Sequence, residues 1–312
     1  MKKYTTTFLL SFIYLLGFGQ HNEFKIDYSY GIAGGVTPTY KVLNNEDAIT
    51  KKEANELVRY FLEESKMDFK SVYNGCQNRA MVMSLMLNDK KISHLKIWNF
   101  DPYKIALYNK QDALDVDDPL GIKSGKIYWD FHVAVVILVK NDSTNKYEKY
   151  VIDPSFSDLP LTVSEWLTIQ NSPNSHYTFL NPEWYNFVTL QPNSSIVCNN
   201  ETSNIVIPNC FPYIITGDFY KYSSVNFQPI AEELAVNQQI TDFTTTVIKK
   251  LNEADSDKKV KLSALLSDFN SIKAILKGEN TLDVSHPFNV YLSKYKKSYT
   301  ESLNYWLNQL NN

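Results

Sequence analysis

The segment that determines the fold runs from residue 128 to residue 155 and reads YWDFHVAVVILVK, NDSTN and KYEKYVIDPS. Its first part is apolar on both faces, which predicts a strand in the centre of a sheet. The polar cluster at 141–145 predicts a turn. The third part predicts the second arm of a hairpin, which ends at Asp153 and Pro154.

The hairpin brings one histidine close to one aspartate. The midpoint between His132 and Asp153 falls inside the turn, so the simplest antiparallel register makes them direct cross-strand neighbours on one face. A slip of one residue would place them on opposite faces. Each residue alone has a simpler explanation, His132 as a hydrogen-bonded core histidine and Asp153 as a turn residue at a strand end.

Upstream of the hairpin, a cysteine stands at the predicted start of a helix. The turn dipeptide Asn74-Gly75 precedes Cys76, and apolar residues at helical spacing continue from there to Leu87. The helix dipole and the unpaired N–H groups of the first turn favour a thiolate, and the backbone N–H of Cys76 is a natural oxyanion donor. The alternative is a buried, inert cysteine that packs as a small apolar residue.

Taken together, Cys76, His132 and Asp153 predict a site for nucleophilic attack on an amide carbonyl. The thiol would be the nucleophile, the imidazole its proton partner, and the carboxylate would orient the imidazole. The sequence has no Cys/His cluster at metal-ligand spacing, so we expect neither a metal nor another cofactor.

The segment 101–126 is predicted to be irregular. Its aspartates at 112, 115, 117 and 118 superficially resemble an oxygen-ligand calcium loop, but the glycine and the terminal glutamate of such a loop are absent. A solvated loop is the preferred interpretation.

The composition indicates a folded chain and excludes some partners. Hydrophobic residues make up 44% of the 312 residues and aromatic residues 14%, enough for a substantial core. A net charge of −3 with scattered basic residues gives no reason to expect nucleic acid as a partner.

The N-terminus has the three parts of a secretory signal peptide, which we assign to residues 1–19 with cleavage near Gly19 or Gln20. Its apolar run is too short to span a bilayer as an ordinary helix. We therefore expect a secreted or periplasmic protein. In an oxidising compartment Cys198 and Cys210 are expected to form a disulfide, which leaves Cys76 free.

The rest of the chain divides into two predicted regions. Residues 20–227 would form the catalytic domain, with its core at about 45–190, and residues 228–312 a C-terminal helical region in which no chemistry is evident. The helices are expected at 232–254, 259–277 and 287–310. The oligomeric state stays open.

The motifs together resemble one family. Gly75-Cys76 with Arg79-Ala80, the segment 129–135, and the segment 151–156 continuing to Trp166 are similar to motifs of the bacterial protein-glutaminases, secreted protein deamidases. The resemblance covers roughly residues 73–166. It implies an α+β fold with a papain/transglutaminase-like core, in which a helix carrying the cysteine packs on an antiparallel sheet.

The resemblance also implies an activity and assigns Cys76, His132 and Asp153 as the triad. The reaction would be hydrolysis of the side-chain amide of glutamine in proteins or peptides through a thioester, giving glutamate and ammonia. The same triad serves transglutaminases and cysteine proteases, and an exported binding or effector module could keep the core without activity. Incorporation of an amine, cleavage of a backbone or partner binding without activity would distinguish these alternatives.

Overall fold

The computed structural model describes most of the chain, and the fold is set out for those residues. They are 21–23, 41–71, 75–100, 114–119, 126–129, 131–141, 144–173, 175–186, 189–192, 199–200, 205–206, 213–216, 220–221, 226–257, 269–279, 282, 286 and 288–311. The predicted signal peptide and the predicted disulfide between Cys198 and Cys210 lie outside the described residues.

A seven-stranded sheet forms the centre of the described structure. Its strands are β1 (Asn22–Glu23), β2 (Ile49–Thr50), β3 (His94–Phe100), β6 (Phe131–Asn141), β7 (Lys146–Ile152), β8 (Leu161–Thr162) and β9 (His176–Leu180). The order is β1-β9-β3-β6-β7-β8, and β2 also pairs with β6. The long pairings are antiparallel, while the short pairings β1–β9 and β2–β6 are parallel. The apolar run at 131–139 therefore lies in the sheet centre, as predicted.

Smaller antiparallel pairs flank this sheet. They are β4 (Leu114–Asp117) with β5 (Lys126–Trp129), β10 (Trp184–Asn186) with β15 (Tyr220–Lys221), β11 (Thr189–Pro192) with β14 (Tyr213–Thr216), and β12 (Asn199–Asn200) with β13 (Ile205–Val206).

The pair β4–β5 shows that the prediction of a solvated loop was wrong for residues 114–117, which form a strand. Asp115 is buried within β4, and its Oδ1 accepts a hydrogen bond from Lys126 Nζ at 2.7 Å. Because the ion pair compensates the buried carboxylate and Leu114 and Val116 supply apolar contacts, this stretch forms a strand. Asp112 lies outside the described residues.

Helices cover the sheet. They are a short 3-10 helix (Asn45–Asp47), α1 (Lys51–Glu63), α2 (Cys76–Asp89), α3 (Val163–Ile169), α4 (Phe227–Glu253), α5 (Phe269–Lys277) and α6 (Asn289–Asn311). A capping box between Thr50 and Glu53 explains where α1 begins. Helix α2 begins at Cys76, as predicted, after Gly75 in the left-handed conformation with φ of +80°.

One hydrophobic core joins the sheet to the C-terminal helices. Val135 and Ile137 of the central strand belong to the same buried cluster as Met83 of α2, Phe243 of α4 and Trp306 of α6. The predicted α+β class is confirmed, with the cysteine-bearing helix packed on a largely antiparallel sheet and with C-terminal helices. The domain boundaries at 19 and 227 stay predictions.

The hairpin register differs from the expectation. Val135 pairs with Ile152, so continuing the ladder by one residue puts Asp153 opposite Ala134, two residues beyond His132. The prediction of direct pairing was wrong because Asn141 pairs with Lys146, which centres the hairpin one residue later than assumed. A shift of two residues preserves the face, so both side chains still lie on the same side of the sheet.

Candidate active site

A buried ion-paired contact joins the predicted histidine to the predicted aspartate. His132 is the second residue of β6, and Asp153 directly follows β7. The ring nitrogen Nε2 of His132 lies 2.7 Å from Oδ2 of Asp153. Their exposed fractions are 2% and 5%, so water weakens this contact little.

Two further donors fix the Asp153 carboxylate. Trp166 of α3 donates its Nε1–H to Oδ2 at 2.8 Å, and the backbone N–H of Ser155 donates to Oδ1 at 3.1 Å. Burial alone raises the pKa of Asp153, but the charge and hydrogen bond of His132 and the bond from Trp166 outweigh it and lower the pKa. The carboxylate is therefore held ionised.

Burial and the neighbouring side chains have opposite effects on the pKa of His132. Burial lowers its pKa, but the charge and hydrogen bond of Asp153, with a smaller contribution from the Cys76 side chain, raise the pKa to about 9. The rings of Trp129, Phe156 and Trp166 surround the imidazole, with centroids 5.1, 4.8 and 5.6 Å from its own. Aromatic faces favour a cation in this position. The geometry thus stabilises an imidazolium ion.

Cys76 completes the site as the first residue of α2. Its side chain contributes to the raised pKa of His132, and its Sγ–H donates to Oε1 of Gln77 at 3.6 Å. Because Nε2 of His132 is bonded to Asp153, only Nδ1 could exchange a proton with the sulfur. Cys76, His132 and Asp153 line one small cavity of about 10 Å³, together with Phe69 and Ser155. The structure therefore brings all three predicted residues together.

The start of α2 offers backbone donors beside the sulfur. Gly75 accepts the first helical bond, from the N–H of Arg79 at 2.9 Å, so the N–H groups of Cys76 and the two residues after it precede the intrahelical ladder. The first turn holds no acidic side chain. Positive backbone potential at this terminus suits an oxyanion.

Helix α4 packs directly against this turn. A Cβ atom at Gly75 would lie 2.8 Å from Oε1 of Glu233 and 3.0 Å from Nδ2 of Asn237. Glu233 is nearly buried, and burial raises its pKa, although Lys273, Arg79 and a hydrogen bond with Asn78 oppose that effect. Asn78 in turn accepts a hydrogen bond from the Tyr185 hydroxyl. The C-terminal helices thus contact the residue that precedes the thiol.

Sequence reasoning missed the supporting residues. Trp129, Phe156 and Trp166 belong to the motifs that carry the resemblance, but their spacing does not show that they enclose His132. Glu233 and Asn237 lie more than 150 residues from Gly75, and no local pattern could join them to it. Only the packing of α4 on α2 reveals that contact.

The part of the chain that the structure describes contains neither a cluster of metal-ligating side chains nor a helix suited to span a membrane. Within this part, no group of three or more His, Cys, Asp or Glu side chains could hold a metal ion. None of the helices described combines the length and apolar character needed to cross a bilayer.

Comparisons with known proteins point to one family. Residues 43–170 match a family model described as Glutaminase, and this segment contains all three residues of the candidate site. The resemblance proposed from the motifs is confirmed by this match. The comparison with curated proteins gives no match.

Solved structures of protein-glutaminases are also similar to this chain. The NMR structure of protein-glutaminase from Chryseobacterium proteolyticum is 19% identical with a TM-score of 0.36, covering 45% of this chain and 76% of that one. A crystal structure of protein-glutaminase is 20% identical with a TM-score of 0.35, covering 45% and 78%. A crystal structure of pro-protein-glutaminase is 21% identical with a TM-score of 0.36, covering 48% and 54%.

Proposed function

With the glutaminase match over residues 43–170 as the premise, we propose that this chain is a cysteine amidohydrolase that converts glutamine in proteins to glutamate. The observation that carries the proposal is the buried His132–Asp153 pair at 2.7 Å, with Cys76 lining the same small cavity. All three lie inside the matched segment.

In the first half of the reaction the thiolate of Cys76 attacks the carboxamide carbon of glutamine. A C–S bond forms, and the oxyanion lies against the N–H groups at the start of α2. The imidazolium of His132 gives its proton to the departing nitrogen, the C–N bond breaks, and ammonia leaves behind a thioester.

In the second half, neutral His132 takes a proton from water, whose oxygen attacks the thioester carbon. The C–S bond breaks, glutamate is released, and the thiolate and imidazolium are restored. Asp153 stays ionised throughout and stabilises the imidazolium, a role that its lowered pKa supports.

The experiment measures ammonia from a blocked glutamine dipeptide and from casein, with a fluorescent amine in a parallel reaction. We expect ammonia and glutamate from the wild type, no amine incorporation, and loss of activity by about 10³-fold or more in Cys76→Ala and His132→Gln. His286→Gln, a histidine outside the site, serves as the matched control and should keep wild-type activity.

Other outcomes would support the alternatives. Incorporation of the amine would favour a transglutaminase, and cleavage of casein a protease. No reaction at all, with well-folded protein and with Cys76→Ala indistinguishable from wild type, would contradict an enzymatic role.

We also propose that the protein is exported. The support is the charged, apolar and small-residue pattern of residues 1–19. N-terminal sequencing of protein collected from the medium or periplasm tests this, and a mature chain beginning near Gln20 is the expected result. Retention of Met1 in the cytoplasm would contradict it.

A further inference from the structure

A large cleft lies on the C-terminal side of the candidate site. Its volume is about 770 Å³, and it runs between the segment that follows α1 and the helices α4 and α6. Lys66 and Phe69 form one wall, and Gln239, Ser298 and Tyr305 form the other. A cavity of this size accommodates a drug-sized molecule, which is comparable to several residues of polypeptide.

The cleft adjoins the catalytic cavity at two points. Phe69 lines both cavities. Pro154 lines the cleft, while the residues on either side of it, Asp153 and Ser155, line the catalytic cavity. A chain bound in the cleft therefore lies next to the residues that hold the imidazole.

The chemistry of the walls suits a polypeptide. The lining includes the amide and hydroxyl groups of Gln238, Gln239, Ser298 and Ser302 and the apolar surfaces of Leu62 and Tyr305. Such groups can donate to backbone carbonyls and accept from backbone N–H groups. The lining also holds both charge signs, Lys66 and Lys70 against Asp68 and Glu301, so it does not select for a strongly charged ligand.

Contacts within the walls keep the cleft in shape. Gln239 donates its side-chain N–H to Ser302 at 3.1 Å, which joins α4 to α6. Thr241 of α4 donates to Asp68 at 2.6 Å, and Lys66 Nζ lies 4.1 Å from the ring centroid of Tyr305. A preformed cleft loses little entropy when it binds a flexible chain.

We propose that this cleft binds the polypeptide that flanks the reacting glutamine, so that helices α4 and α6 select protein substrates over small amides. The inference rests on the proposed function and extends it to residues outside the glutaminase match. A free glutamine or a short dipeptide would reach Cys76 without filling the cleft.

The test fills the cleft without touching the catalytic residues. Ser298→Trp adds a bulky ring inside it, Ser298→Ala removes only a hydroxyl, and Asn304→Trp places the same ring on an exposed position of the same helix. We expect Ser298→Trp to lower kcat/KM for casein by about tenfold or more, while kcat/KM for the blocked dipeptide stays within about twofold. Both controls should match the wild type on both substrates.

A binding measurement complements the kinetics. A fluorescent glutamine-containing casein peptide should bind to Cys76→Ala and bind at least about tenfold more weakly to the double variant Cys76→Ala/Ser298→Trp, by fluorescence anisotropy.

The results separate this inference from the proposed function. Equal activity of Ser298→Trp and wild type on casein would overturn the cleft assignment, as would an equal loss on both substrates. An inactive wild type on both substrates would overturn the proposed function itself, and the inference would fall with it.

Discussion

Asp153 stabilises the protonated form of His132, and hydrogen bonds from other residues fix Asp153 in place. Burial opposes the charge, but Asp153, fixed by Trp166 and Ser155, raises the pKa of His132 to about 9. Because the folded value exceeds the ordinary value of 6.5, the linked stabilisation is complete below pH 6.5 and is lost as the pH rises through 9. The lowered pKa of Asp153 has the opposite effect. Its stabilisation is present above the usual aspartate pKa of 3.8 and is lost in more acidic solution.

The loss of stability at alkaline pH gives a prediction for Asp153→Asn. The wild type should lose about 3 kcal/mol in the free energy of unfolding as the pH rises from 6.5 to beyond 9. In Asp153→Asn this loss should be largely absent, because burial of His132 is then no longer offset by the carboxylate. Urea unfolding at a series of pH values measures it.

The control for this prediction is Asp158→Asn, which changes an exposed carboxylate a few residues further along the chain. It should keep the wild-type pH dependence. An equally steep alkaline loss in Asp153→Asn would show that the pair does not hold the imidazolium in place.

The proximity of the three candidate residues could be predicted because each stands at a recognisable local feature. Gly75 before a helical pattern located Cys76, and a hairpin with a clear turn located His132 and Asp153. The Trp166 donor could not be predicted, since the position of the short helix α3 over the sheet depends on packing. The register was two residues off, because turn length follows from contacts that the sequence does not display.

At the scale of elements, the turn before α2 explains why glycine stands at position 75. Its φ of +80° lies in the left-handed region, which costs other residues about 1–2 kcal/mol. Glu233 and Asn237 of α4 also approach so closely that a side chain has no space. The turn thus combines a conformational requirement with a packing requirement.

Two glycine substitutions separate these requirements. Gly278 has the same φ of +80°, but a Cβ there would meet only the Lys296 side chain, at 3.7 Å. Gly278→Ala should therefore cost about 1 kcal/mol from conformation alone. Gly75→Ala should cost roughly 1–3 kcal/mol more, because the buried Glu233 must move. Thermal or urea unfolding of both variants measures the difference.

A double variant checks whether the contact with Glu233 causes the added cost of Gly75→Ala. Gly75→Ala/Glu233→Ala should recover part of the added cost relative to Glu233→Ala, since the clashing carboxylate is gone. Equal losses in Gly75→Ala and Gly278→Ala would contradict a role for the α4 contact.

Element prediction was limited by partners distant in the sequence. Nothing in the sequence shows that Lys96 of β3 is fully buried, donating to the carbonyl of Trp184 at 2.7 Å. Burial lowers the pKa of Lys96 well below its usual range. Likewise, β4 was taken for a loop because its partner β5 and the Asp115–Lys126 pair are revealed only by the fold.

At the scale of the whole molecule, the C-terminal helices share one hydrophobic core with the sheet. The sequence predicted three amphipathic helices but not the surface that they cover. Ala231, Leu234 and Ile240 of α4 are buried in the cluster that also holds α2 and the sheet. Their apolar stripes therefore face α2 and the sheet, and removing these helices would expose that core.

A truncation tests this dependence. We expect a chain that ends at residue 225 to lack a cooperative unfolding transition and to bind a hydrophobic dye, because the apolar face of α2 and the sheet is then uncovered. Circular dichroism with thermal melting measures it, with the full chain as control. A sharp transition in the truncated chain would show that residues up to 225 fold independently.

The contact between α4 and Gly75 also has a consequence in time. Synthesis adds roughly 5–20 residues per second, so the stretch of about 150 residues from Cys76 to the start of α4 takes on the order of 8–30 s to make. Throughout that interval the ribosome has already synthesised Gly75 and Cys76, but it has not yet synthesised helix α4, which packs against them. A ribosome therefore makes helix α4 long after it has made Cys76, and a chain interrupted before residue 227 contains Cys76 without the helix that packs beside it.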